Sequence, residues 1–140
     1  MKESYIKRIL NAPVYDVARE TPLDPAPFLS ARLGNEVWLK REDLQPVFSF
    51  KCRGAYNKMA NLSEKALGAG VVAASAGNHA QGVALAAQTL GAKASIVMPE
   101  TTPVIKVEAV RARAATVILH GDSFDEAARR AKELVEQRNL

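Results

Sequence analysis

A chain of 140 residues, 48% hydrophobic and 24% charged, carries enough apolar material for one ordinary core and too much for a disordered segment. The net charge of +4 leaves room for an anionic partner, but Lys and Arg are interleaved with Asp and Glu, as in Arg129-Arg130-Ala131-Lys132-Glu133. That mixture is the pattern of a solvated surface, and no motif or aromatic platform for nucleic acid accompanies it. The single cysteine, Cys52, excludes an intramolecular disulfide framework and a cysteine-rich zinc site.

The longest weakly polar runs, Val71 to Ala76 and Ser95 to Met98, fall far short of the roughly 20 residues of a spanning helix. The N-terminus, Met1 to Arg8, has no continuous apolar run, so no secretory signal is read there. No membrane partner and a cytoplasmic location are expected.

In chain order, Ile6 to Leu10 predicts a short helix, and Pro22, Pro25 and Pro27 an irregular connector. Val37 to Lys40 predicts a strand, and Ser49 to Asn61 a helix with Ser49 as its N-cap. From Gly70 onward one pattern recurs, a short apolar run followed by an amphipathic segment, which is the signature of βα units on a parallel sheet. The expected strands are Val71 to Ala74, Ala94 to Met98 and Thr116 to Leu119. The first helix, Asn78 to Leu90, places Val83, Ala84, Ala87 and Leu90 on one face and ends at Gly91, where a left-handed residue is wanted. The second opens near Pro103. The third opens at Ser123, with Ser123-Phe124-Asp125-Glu126 as a capping box and a buried stripe of Phe124, Ala127, Ala128, Ala131, Leu134 and Val135. That helix reaches Leu140 without a stop signal, so the α/β fold is expected to be incomplete.

Lys51 falls in the first turn of its helix, where the dipole disfavours a further positive charge and the amine should lose its proton more readily. A neutral amine is the form that attacks a carbonyl. Ser75-Ala76-Gly77-Asn78-His79 stands at a strand-to-helix junction, where unpaired amides and the helix dipole receive an anion. The ordinary alternative for that loop is a plain turn capped by Ser75 or Asn78. Gly68-Ala69-Gly70 precedes a strand and is no dinucleotide fingerprint. His120 ends a strand without ligand-spaced partners and reads as a turn residue, so no metal is expected. Cys52 reads as a small packed residue, and Gly54 as a site of close packing or close approach.

Ser49-Phe50-Lys51-Cys52-Arg53-Gly54-Ala55, answered by Ser75-Ala76-Gly77-Asn78-His79-Ala80-Gln81-Gly82, resembles the two N-terminal active-site motifs of the fold-type II pyridoxal-phosphate enzymes, the tryptophan synthase β-like group. With Lys40 to Val47, the chain is most similar to their biosynthetic threonine dehydratase (threonine ammonia-lyase) branch. The resemblance implies that Lys51, beside Phe50, binds pyridoxal 5'-phosphate through its amine and serves as acid and base at the substrate α-carbon. It implies that Asn78 hydrogen-bonds the cofactor's phenolic oxygen and that Ser75, Ala76, Gly77, Asn78 and His79 hold the substrate carboxylate.

The implied substrate is L-threonine, secondarily serine, and the products are 2-oxobutanoate and ammonia in isoleucine synthesis by a homo-oligomer. A catabolic dehydratase, a serine racemase and a non-catalytic fragment or interaction module are the alternatives. By the same resemblance, residues from about 70 to 140 are βα units of a small domain and those from about 1 to 69 an N-terminal, lysine-bearing segment. The family's glycine-rich phosphate loop has no counterpart in these residues. The family's glycine-rich turn after Arg111 is here Ala112-Arg113-Ala114-Ala115, where a left-handed residue would be strained.

Overall fold

The computed structural model describes residues 4–138. Its centre is a parallel sheet of three strands in the order β3-β4-β5, where β3 is Val71–Ala74, β4 is Ala94–Met98 and β5 is Thr116–Leu119. All three strands and the first crossover helix, α5 (Asn78–Leu90), have the bounds expected from the sequence. Val71 pairs with Ala94 and Ser95 with Thr116, so neighbouring strands run in step.

The pleat sorts the side chains into two cores. Val71, Ala73, Ile96 and Met98 face α5 and α6 (Val104–Arg111), while Val72, Ala74 and Val97 face α7 (Phe124–Arg138). Such period-two sorting is what a strand covered on both faces requires.

Ahead of the sheet, α1 (Tyr5–Leu10) leads to an antiparallel pair, β1 (Leu23–Pro25) with β2 (Trp38–Lys40), joined through α2 (Pro27–Leu33). The proline connector is therefore ordered, contrary to the sequence reading. Pro25 sits on a two-stranded edge, Pro27 takes the first helical position, and Gly34 closes α2 at φ 60°. In each place proline or glycine is compatible with regular structure. α3 (Lys51–Ala60) then lies on α5, and α4 (Glu64–Ala69), capped by the Ser63 hydroxyl, leads into β3.

The helices bear out two further expectations and correct a third. Leu90 packs at the edge of the same core as Val83, Ala84 and Ala87, as expected, and Ala80, Gln81, Gly82 and Ala86 are buried as well, because α5 is covered by the sheet on one side and α3 on the other. On α7, Ala127, Ala131 and Leu134 are buried but Phe124 and Val135 are exposed, since α7 lies mainly across β3 and β4 and those two side chains fall outside that contact. α6 opens beside Pro103 as expected, with the proline at the cap position in an extended conformation. The capping box of α7 is present: the Glu126 N–H donates to the Ser123 hydroxyl at 3.3 Å, and Glu126 Oε2 accepts from the Ser123 N–H at 3.1 Å. Gly91 ends α5 at φ 66°.

The turn after α6 contains the strain that its missing glycine implied, for Ala114 has φ 57°. A left-handed alanine costs about 1 kcal/mol relative to glycine. Ala114→Gly is therefore expected to raise the free energy of unfolding by about 1 kcal/mol in urea titration, with the slope unchanged.

Candidate active site

Lys51 is the first residue of α3, and its side chain is exposed. Ser49 does not cap this helix as expected. The cap position belongs to Phe50, already helical at φ −61° and ψ −13°, because the turn tightens one residue earlier. The buried Ser49 hydroxyl instead accepts from the Lys51 N–H at 3.3 Å, and its carbonyl accepts from Cys52 Sγ at 3.4 Å. Cys52 is fully buried with Ala18 and Val47, as its small apolar reading required. Phe50 and Phe48 flank this turn with exposed rings, and Phe48 has φ 54°.

A second layer holds the approach to Lys51. Arg53 grips Glu42 through two hydrogen bonds of 2.9 and 3.0 Å. The Thr21 hydroxyl donates to the same carboxylate at 2.7 Å, and the buried Gln45 amide donates to it at 3.2 Å. Gln45 also exchanges two hydrogen bonds of 2.9 Å with the backbone of Arg19. Arg113, from the turn after α6, donates to the Pro46 carbonyl at 2.9 Å across 67 residues of sequence.

Arg53 foremost, with Thr21 and Gln45 adding and burial opposing, pulls the Glu42 carboxyl down to about 2. A depressed acid stabilises the fold in full above its unfolded value, near 4.5, and loses that contribution as pH falls toward 2. Glu42→Gln is expected to lower the urea midpoint at neutral pH, and the gap between parent and variant should narrow from pH 4.5 downward. A gap independent of pH would mean that the carboxylate's charge is not what holds the segment.

The loop from Ser75 to His79 links β3 to α5, with Gly77 at the cap position. The Ser75 hydroxyl accepts from the N–H groups of Gly77 at 3.3 Å and Ala80 at 3.2 Å. Ser75, two residues ahead of the cap position, thus satisfies two N–H groups of the turn, and its O–H remains free to donate. The N–H groups of Ala76, Asn78 and His79 have no acceptor among the described residues. They leave a set of free donors at a helix N-terminus, which suits a carboxylate. The Asn78 side chain is exposed and uncommitted. His79 is held below the ordinary imidazole range, first by desolvation and then by the positive charge of Lys51. The lysine and the loop, 24 residues apart at their nearest in sequence, therefore meet in space.

The residue that brings them together is Gly82, one turn beyond Asn78. A side-chain carbon built there would lie 3.0 Å from the Lys51 carbonyl oxygen and 3.3 Å from the Cys52 nitrogen. Glycine inside a helix costs roughly 1 kcal/mol against alanine, and this one gives the backbone of α3 its seat on α5. Gly54, read from sequence as the close-approach glycine, has no atom within 4 Å of such a carbon and is exposed. His120 is exposed at the end of β5, and no group able to hold a metal occurs among the described residues.

Residues 14–140 match the family described as pyridoxal-phosphate dependent enzyme. The chain belongs to that family. It is 64% identical over 132 residues to threonine dehydratase 1 biosynthetic of Solanum lycopersicum, covering 94% of this chain and 22% of that protein. It is 58% identical over 136 residues to the biosynthetic L-threonine dehydratase of Pasteurella multocida, covering 97% and 26%. The chain therefore spans about a quarter of the length of these relatives.

Among solved structures, the processed form of threonine deaminase isoform 2 from Solanum lycopersicum superposes with a TM-score of 0.90 at 60% identity, over 97% of this chain and 40% of that one. Maize serine racemase superposes with a TM-score of 0.87 at 32% identity, over 95% and 40%. The fold is that of the fold-type II members, and pyridoxal phosphate is the family's cofactor. An amine beside a set of free N–H donors has the chemistry to receive an aldehyde and an anion. The described residues supply no glycine-rich cradle for its phosphate.

Proposed function

We propose that this chain is the lysine-bearing part of an enzyme that converts L-threonine to 2-oxobutanoate and ammonia. Residues 1–69 are read as its N-terminal segment and residues 70–140 as its small-domain βα units. The observation that carries the reading is the seating of the Lys51 backbone on Gly82, with the free N–H groups of Ala76, Asn78 and His79 at the same helix end. Identities of 58–64% to biosynthetic threonine dehydratases, against 32% to a serine racemase, favour threonine over the racemase alternative.

In this reading the Lys51 amine is the nucleophile toward the cofactor's aldehyde. When released, it takes the proton from the substrate's α-carbon. Ala76, Asn78 and His79 donate backbone N–H groups to the substrate carboxylate, and Ser75 and Gly77 shape the turn that presents them. The Asn78 amide orients the cofactor at its phenolic oxygen, and the exposed ring of Phe50 borders the same space. When bound, the cofactor supplies an electron sink for the α-carbon. The β-hydroxyl leaves as water, and one water is taken up again when the resulting C=N bond is hydrolysed to the keto group of 2-oxobutanoate and ammonia, so the net change is loss of ammonia alone. Serine is the secondary substrate, isoleucine synthesis the destination, the cytoplasm the compartment, and a homo-oligomer the assembled form. No helix in the described residues is long and apolar enough to cross a membrane.

The test uses the complete enzyme, meaning a polypeptide of the relatives' length that carries this segment. Supplied with cofactor and L-threonine, it should release 2-oxobutanoate and ammonia in equal amounts, with slower pyruvate formation from serine. Racemised serine without keto acid would instead support the racemase reading, and no turnover of either amino acid would support a non-catalytic role.

A further inference from the structure

Lys106 is the third residue of α6, and its amine reaches the loop that opens α5. The Lys106 N–H donates to the Pro103 carbonyl at 2.9 Å, which places the residue in the helix's first turn. A positive charge there opposes the helix dipole and lacks the usual reason for its position. Among the described residues its amine has no carboxylate or carbonyl partner. Glu108, two residues on, is already engaged by Arg111 at 2.8 Å. The amine stands instead 3.9 Å from where a side-chain carbon of Gly77 would lie. Gly77 has no such carbon, so nothing of its own covers the α5 N-terminus on that side.

Among the described residues Lys106 therefore stands unpaired on the Gly77 side of the turn. An ammonium group at a helix N-terminus with no acid to pair it favours an anion in that gap.

We propose that Lys106 is a cationic contact for the carboxylate of the amino-acid substrate at the Gly77 turn. This rests on the reading of the Ser75–His79 loop as the carboxylate site. The neutral N–H donors fix the carboxylate's orientation, and the Lys106 ammonium adds a charge-assisted bond of about twice the strength of a neutral one. Because the carboxylate keeps its charge from binding through turnover, this contact acts on substrate and transition state alike. Its loss should appear in KM and not in kcat.

The experiment compares Lys106→Met and Lys106→Arg with the parent complete enzyme, using L-threonine as the probe. Methionine preserves helix propensity and length, so the variant is expected to fold. Lys106→Met should raise KM about tenfold or more with kcat changed by less than about threefold, and Lys106→Arg should recover most of the loss. Parent KM should also rise with salt more steeply than that of Lys106→Met. An unchanged KM would overturn the proposal. So would a variant that loses cofactor on gel filtration with KM unchanged, because the amine would then serve the cofactor's phosphate. If the parent turns over neither threonine nor serine, the functional reading fails by itself. The carboxylate contact is then read from the threonine-induced change in cofactor absorbance, and an equal affinity in parent and Lys106→Met would overturn it.

Discussion

Lys51→Ala in the complete enzyme is expected to abolish turnover and to leave no covalent link between cofactor and chain. Among the described residues Lys51 is the lysine that opens a helix seated on α5, whose first N–H groups are free. Losing the proton-transfer role alone would remove roughly 10²–10⁴ in rate. Losing the amine nucleophile adds to that loss. Borohydride reduction of the parent followed by peptide mapping should place the cofactor label on Lys51. A label on Lys40, Lys58 or Lys106 would show that the amine has been misassigned. Other lysines lack the seat on α5 and should not rescue the variant.

Gly82→Ala should separate position from stability. The added carbon meets backbone atoms of Lys51 and Cys52 at 3.0–3.3 Å, and backbone cannot swing aside as a side-chain tip can. α3 must retreat by a few tenths of an ångström. Better helix propensity, worth about 1 kcal/mol, offsets much of that strain, so thermal stability should change little. Turnover should fall about tenfold, because displacement of a catalytic group by about 1 Å can cost roughly a hundredfold. Gly82→Val, with two further carbons and no gain in propensity, should lose both stability and activity. If Gly82→Ala keeps parental kcat, the contact between the helices does not set the lysine's position.

The parallel core was legible because each strand is a short apolar run closed by a turn residue and because each helix carries its own start or stop, as Gly91 and the Ser123–Glu126 box do. The strain at Ala114 was legible for a similar reason, since a left-handed position has few tenants. What escaped were features fixed by partners distant in sequence. Phe124 and Val135 follow the helical period but lie beyond the strands that α7 covers. Ser49 has the chemistry of a cap, yet the tight turn gave that place to Phe50.

Gln45, Glu42 and Arg53 form one network only after the chain folds back on Arg19. At the candidate site, the lysine and the donor loop were visible as motifs. Gly82 carried a signal in being a glycine within a helical run, while Lys106 carried none. Its role depends on α6 lying beside α5, which no local pattern encodes.

The two faces of the sheet also bear on why the proposed anion site follows β3 and no other strand. Both crossovers from β3 to β5 place their helices, α5 and α6, on one face, whereas α7 lies on the other, mainly over β3 and β4. Right-handed connection through a helix on that opposite face reverses the direction of travel across the sheet. A parallel strand joining after α7 would thus arrive at the free edge of β3. The chains leaving β3 and that neighbour would then diverge to opposite faces, opening a crevice at their carboxyl ends. Crevices of this kind are where open α/β sheets bind their ligands. Ser75 to His79 leave β3 at that point, so a sheet extended in this way would favour this loop, ahead of the turns after β4 and β5, as the place where a small molecule can enter.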